Sequence, residues 1–176
     1  MTAAAGLLVT GGPDAVSHRS VAAAARVPLA ATTYYFRSLD DLLVAAVEHA
    51  AADEVDEVAE LIGALPRRRR SPRGAAELVL DVVLGPRRTD AELQAHYERF
   101  LASGRHPALR PVLQRARRRV DTLLTDALQR CGHDGVDTDQ LVAVLDGTVI
   151  SALVEGNGSA RDRALAAVTA ALGREP

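Results

Sequence analysis

At 176 residues, with 48% apolar and 25% charged side chains and a formal net charge of −2, the chain has the balance of a globular protein, long enough for one good core or two small domains. Disorder and membrane spanning are disfavoured, and with no apolar run near the roughly 18 residues of a membrane helix and no basic start of a secretory signal, the expected compartment is the cytoplasm. The near-neutral charge also excludes a chain that holds polyanions by bulk charge, so any nucleic-acid contact has to be local.

The elements read as helices throughout, with Ala and Leu dominant and β-branched residues too scattered for alternating strands. A first short helix is expected over Ala3–Val9, stopped by Gly11-Gly12-Pro13. Ser17 can cap a second helix running to Ala25, and Pro28 opens a third that ends near Phe36. Ser38 and Asp41 make a capping arrangement for a long fourth helix, Leu39 to Leu65. The run from Pro66 to Gly74, with five arginines, reads as an exposed connection. Five more helices are expected: Ala75 to Leu84, Asp90 to Ser103, Ala108 to Cys131, Thr138 to Glu155 and Ala160 to Leu172. Thr89 with Glu92, Asp137 or Thr138, and Ser159 mark three of their starts. The expected fold is therefore all-α, with about nine helices.

Two short helices around a tight turn are the layout of a helix-turn-helix, whose second helix enters the major groove. The stretch VPLAATTYYF, Val27 to Phe36, crowds three of the five aromatic residues into consecutive positions. Helical spacing puts Phe36 with Thr32, as a plug for the core, and leaves Leu29, Ala30, Thr33 and Tyr34 on the other side. Hydroxyls there reach phosphate oxygens, while Leu, Ala and the Thr methyl meet thymine methyls. The candidate DNA-binding residues are Ser17, His18, Arg19, Leu29, Ala30, Ala31, Thr33, Tyr34 and Arg37. From Met1 to Ala50 three arginines stand against four carboxylates, so weak binding is expected.

The segment His18 to Leu43, HRSVAAAARVPLAATTYYFRSLDDLL, resembles the TetR-type bacterial transcriptional repressors, in a spelling similar to that of an actinobacterial subgroup. Val21-Ala22, Ala25-Arg26-Val27, Thr33-Tyr34-Tyr35-Phe36 and Leu39-Asp40-Asp41-Leu42 stand where that family has Ile-Ala, Ala-Gly-Val, Tyr-x-Tyr-Phe and Lys-x-x-Leu. The sequence departs from the pattern at Arg26, a glycine in the family, and at Leu39, a lysine that usually meets phosphate. An arginine at the first place is costly if the backbone there needs positive φ. The resemblance implies a DNA-binding domain over residues 1–50 and a helical ligand-binding and dimerisation domain over 51–176. It further implies a homodimer on a palindromic double-stranded DNA operator, released by a small molecule. The alternative is a helical ligand-binding or protein-interaction dimer whose DNA reader has decayed.

In the C-terminal region Leu93, Tyr97, Phe100 and Leu101 fall at helical spacing beside Gln94 and His96, as core or as the wall of a pocket. Asp146 interrupts an apolar stripe and needs a partner, which is an arginine, a helix end, or a cationic or hydroxylated ligand. The candidate effector residues are thus Gln94, His96, Tyr97, Phe100 and Asp146. The last two helices carry apolar stripes that suit core or a four-helix dimer interface, with Leu141, Leu145, Val149, Leu153, Leu165, Val168 and Leu172 as candidates.

Enzyme chemistry finds no support in motif or spacing, and neither a metal nor a cofactor is expected. His49 and Asp53 have i, i+4 spacing but lack a third ligand, and the loop CGHDGVDTD from Cys131 is explained by turns and caps. The single cysteine, Cys131, permits no disulfide within the chain.

Overall fold

The computed structural model describes residues 1–173, except the side chains of Asp53 and Glu54, so the His49–Asp53 pair lies outside the described residues. Nine α-helices form among them: α1 Thr2–Gly11, α2 His18–Ala25, α3 Leu29–Tyr35, α4 Leu39–Gly63, α5 Pro72–Leu84, α6 Asp90–Gly104, α7 Arg110–Arg130, α8 Thr138–Glu155 and α9 Ala160–Leu172. Short 3₁₀ turns at Pro13–Ala15 and Pro107–Leu109 precede α2 and α7. None of the helices is long and apolar enough to cross a membrane.

The caps set these boundaries. Ser17 and Ser20 form a reciprocal capping box, with Ser17 Oγ accepting from Ser20 N at 3.0 Å and Ser17 N donating to Ser20 Oγ at 2.8 Å. Ser38 and Asp41 exchange the same pair at the start of α4, and Thr89 and Glu92 before α6. Backbone and hydroxyl donors of Thr89 hold the Glu92 carboxyl below its ordinary pKa. Asp137 and Ser159 cap α8 and α9. Helix α5 begins three residues earlier than expected, because Ser71 accepts from Gly74 N and Pro72 takes the first helical position, where its missing N–H costs nothing.

Two compact units result. The first comprises Met1–Asp56 with Tyr97–Arg117, the second Glu57–His96 with Arg118–Pro176. In the first unit Ala4 and Leu8 of α1, Val16, Val21 of α2 and Leu42, Leu43, Ala46 and Val47 of α4 share a core with Leu109 and Val112. The segment that leads into α7 thus returns to the N-terminal helices because its apolar side chains complete their core. Arg115 pairs with Glu48 at 2.5 Å at the rim of this unit.

In the second unit α5 is buried on most of its circumference, through Ala75, Ala76, Leu78, Val79, Leu80, Val82 and Leu84. It packs on α9, which packs on α8. Arg161 of α9 bonds Asp81 of α5 at 2.5 Å and the Gly85 carbonyl at 2.9 Å, so one guanidinium closes the C-terminal end of α5. Asp90 Oδ1 accepts from Ala160 N at 3.1 Å. Arg161→Ala should cost about 1–2 kcal/mol of folding stability, since it strands a half-buried carboxylate and a helix-end carbonyl. Urea unfolding monitored by circular dichroism measures this, and an unchanged midpoint would show that water replaces the arginine at no cost.

The arginine run is an exposed connection, as expected, but its backbone is tied to the end of α7. Arg68 N donates to Arg130 O and Arg70 N to Cys131 O, both at 3.0 Å, and His133 Nε2 donates to Arg70 O at 3.1 Å. The orphan carbonyls at the end of α7 are thereby satisfied by the run's own amides. Cys131 is buried beneath it, and burial raises its thiol pKa against the opposing pull of Arg70 and Arg68.

Most of the residues expected at a dimer face lie inside the subunit. Leu145, Val149 and Val168 are fully buried, Leu141 and Leu172 nearly so, and Leu153 and Leu165 lie half-buried at the border. The stripe is real, but α5 and the α8–α9 contact occupy it. The opposite face of α8 carries Ala143, Gly147, Ile150 and Val154 outward, and α9 exposes Ala166 and Ala170.

Candidate nucleic-acid interface

Helices α2 and α3 meet through small side chains and one buried hydroxyl. Thr32 Oγ1 donates to Leu29 O at 2.9 Å and lies 3.3 Å from His18 O, and Thr32 is only 6% exposed. This bond ties the middle of α3 to the start of α2. Phe36, the residue after α3, packs half-buried against the core of the first unit.

With Thr32 and Phe36 turned inward, the rest of α3 faces solvent. Tyr34 is 82% exposed and Tyr35 75%, their rings edge to face with centroids 5.3 Å apart. Leu29, Ala30 and Thr33 are exposed beside them, Ala31 is half-buried, and the Thr33 hydroxyl donates to Ala30 O at 3.2 Å. Tyr35, not among the residues expected to face outward, is exposed as well.

Around α3, Arg19 and Arg37 are exposed, while Ser17 and His18 are half-buried. The Ser17 hydroxyl is committed to its cap, and His18 Nδ1 is buried without a partner. Helix α4 starts with exposed Leu39, Asp40 and Asp41, so its first turn offers carboxylates rather than a cation. Arg26, between α2 and α3, adopts φ 56° and ψ 43° and is exposed. The segment 97–117 adds Arg99, Arg105, Arg110, Arg115 and Arg117 to the same unit.

The five effector candidates divide between the units. Gln94, His96 and Asp146 belong to the second, where Gln94 is exposed and the other two are half-buried. Arg88 Nη1 donates to His96 Nδ1 at 3.0 Å, which holds that ring toward the α5–α6 turn. Tyr97 and Phe100 belong to the first unit, Tyr97 buried and Phe100 exposed. Among the described residues no group of three His, Cys, Asp or Glu side chains could hold a metal ion.

Residues 70–174 match the family model described as tetracyclin repressor-like, C-terminal domain. Among solved structures, the multidrug binding protein EbrR complexed with imidazole shares 32% identity over 99% of this chain and 88% of that one, with a TM-score of 0.67. Its complex with malachite green shares 35% identity over 97% and 94% of the two chains, with a TM-score of 0.64. A TetR-family member from Streptomyces coelicolor A3 shares 31% identity over 97% and 94%, with a TM-score of 0.63. A search of curated protein sequences returns no match. The chain belongs to the TetR family of ligand-responsive transcriptional regulators, which are not enzymes.

Proposed function

We propose that the protein is a repressor that binds a palindromic operator as a homodimer and lets go when an aromatic cation binds its helical C-terminal region. The observation that carries the DNA part is the pair Tyr34 and Tyr35, held in water on a two-turn helix whose other face is pinned by Thr32. A chain with five aromatic residues gains no core energy from two rings left in solvent, and a groove supplies the burial they lack. The DNA contacts are assigned to Arg19, Leu29, Ala30, Thr33, Tyr34, Tyr35 and Arg37, with Ser17, His18 and Ala31 at the edge of the surface. Exposed Ala143, Gly147, Ile150 and Val154 supply a smooth apolar face for a second copy of α8.

For the effector, the support is Asp146, a half-buried carboxylate on α8, together with the dyes bound by EbrR, which include ethidium, proflavin and malachite green. These dyes are aromatic cations, for which a carboxylate is the natural counter-charge. Gln94 and His96 are further candidates in the same unit. Proflavin titrated into the parent protein should change its fluorescence saturably, and Asp146→Asn should weaken the binding about tenfold, the scale of one charge-assisted contact. Equal affinity of parent and variant, or no binding by the parent, would remove this assignment.

A further inference from the structure

We infer that Arg26 is a DNA-phosphate contact, held at the α2–α3 turn at the expense of fold stability. This rests on the DNA-reading proposal for α3 and adds a residue to it. Helix α2 ends in a Schellman turn: Arg26 N donates to Ala23 O at 3.2 Å and Val27 N to Ala22 O at 3.0 Å. The turn places Arg26 in the left-handed region, φ 56° and ψ 43°, where a Cβ is penalised and glycine is not. The ends of α7 and α8 show what the chain does where only the turn matters. There the left-handed positions are Gly132, φ 74°, and Gly156, φ 64°.

At α2 the strained position carries a long cation instead. Its side chain is exposed, and among the described residues no carboxylate pairs with it, so packing and ion pairing leave the strain uncompensated. The turn leads within three residues into α3, whose exposed Tyr34 and Tyr35 form the proposed groove face. Arg26 is also one of only three arginines between Met1 and Ala50, a segment with four carboxylates, so each cation there carries a large share of any backbone attraction. Phosphate is the partner that fits an unpaired guanidinium beside a recognition helix, and strain concentrated at a binding residue is a recurrent arrangement.

The test uses the full-length protein and a short duplex that the parent recovers from a randomised pool. Arg26→Gly should raise the melting temperature by about 1–3 °C through relief of the left-handed strain. The same substitution should weaken duplex binding several-fold and lower the log–log salt slope by about 0.9 per subunit. Arg26→Lys should keep the slope. Arg87→Gly, at the other non-glycine residue with positive φ, 54°, should stabilise the protein and leave DNA binding unchanged. If Arg26→Gly keeps the parent's affinity and slope while Tyr34→Ala loses binding, the inference is overturned and the reading of α3 stands. Should Tyr34→Ala bind as the parent does, the reading of α3 fails and takes the Arg26 contact with it.

Discussion

Val149→Glu is expected to unfold the second unit rather than split a dimer. Val149 is 0% exposed on α8, the helix that packs on α9, so the new carboxylate replaces a fully buried apolar side chain. Burying an unpaired charge costs about 4 kcal/mol or more, a large part of a domain's stability. Val154→Glu, five residues on, changes a side chain that is 81% exposed and should alter folding by less than about 0.5 kcal/mol. In a homodimer built on the outer face of α8, it should nevertheless give monomers. Sedimentation and thermal melts of the two variants side by side make the comparison. A folded, monomeric Val149→Glu would show that the inner stripe meets a partner, and a Val154→Glu protein that stays dimeric would remove the outer face from the interface.

Phe36→Ala and Tyr34→Ala should separate stability from binding. Phe36 packs half-buried against the first unit's core, so its truncation leaves a partial cavity and should cost about 2–3 kcal/mol of folding stability. Tyr34 is 82% exposed, and its removal should leave the melting temperature nearly unchanged. Duplex binding should then fall by about 1–3 kcal/mol, the worth of one good base or backbone contact. Tyr35→Ala should behave like Tyr34→Ala, because the edge-to-face contact fixes each ring against the other. Loss of folding in Tyr34→Ala, or an unchanged melt in Phe36→Ala, would reverse the assignment of plug and groove.

The helices were legible because their ends are written in local chemistry. Ser17, Ser38, Thr89, Asp137 and Ser159 each cap through a side chain within three residues, and α8 and α9 start and stop where those signals stand. The inward turn of Thr32 and Phe36 followed from spacing alone. Burial across the fold was not legible in that way. Periodicity found the stripe of Leu145 and Val149, but a stripe is silent on whether its partner is α9 of the same subunit or a helix of another copy. The return of Leu109 and Val112 to the core of α1, α2 and α4 joins residues far apart in the chain, and no local pattern encodes it. The backbone lacing between Arg68, Arg70 and the end of α7 was hidden for a further reason, since amides and carbonyls are common to every residue and an arginine-rich run looks solvated.

Hydroxyl-radical footprinting of the parent protein on the duplex it selects brings the reader, the dimer and the palindrome under one measurement. The expected pattern is two protected half-sites related by two-fold symmetry, their centres about ten base pairs or a multiple of that apart, as one recognition helix per subunit requires. Both protected regions should fade with added salt and disappear with Tyr34→Ala. Absence of protection by the parent at low salt, or a single asymmetric footprint that Tyr34→Ala leaves intact, would contradict a dimeric repressor that reads DNA through α3.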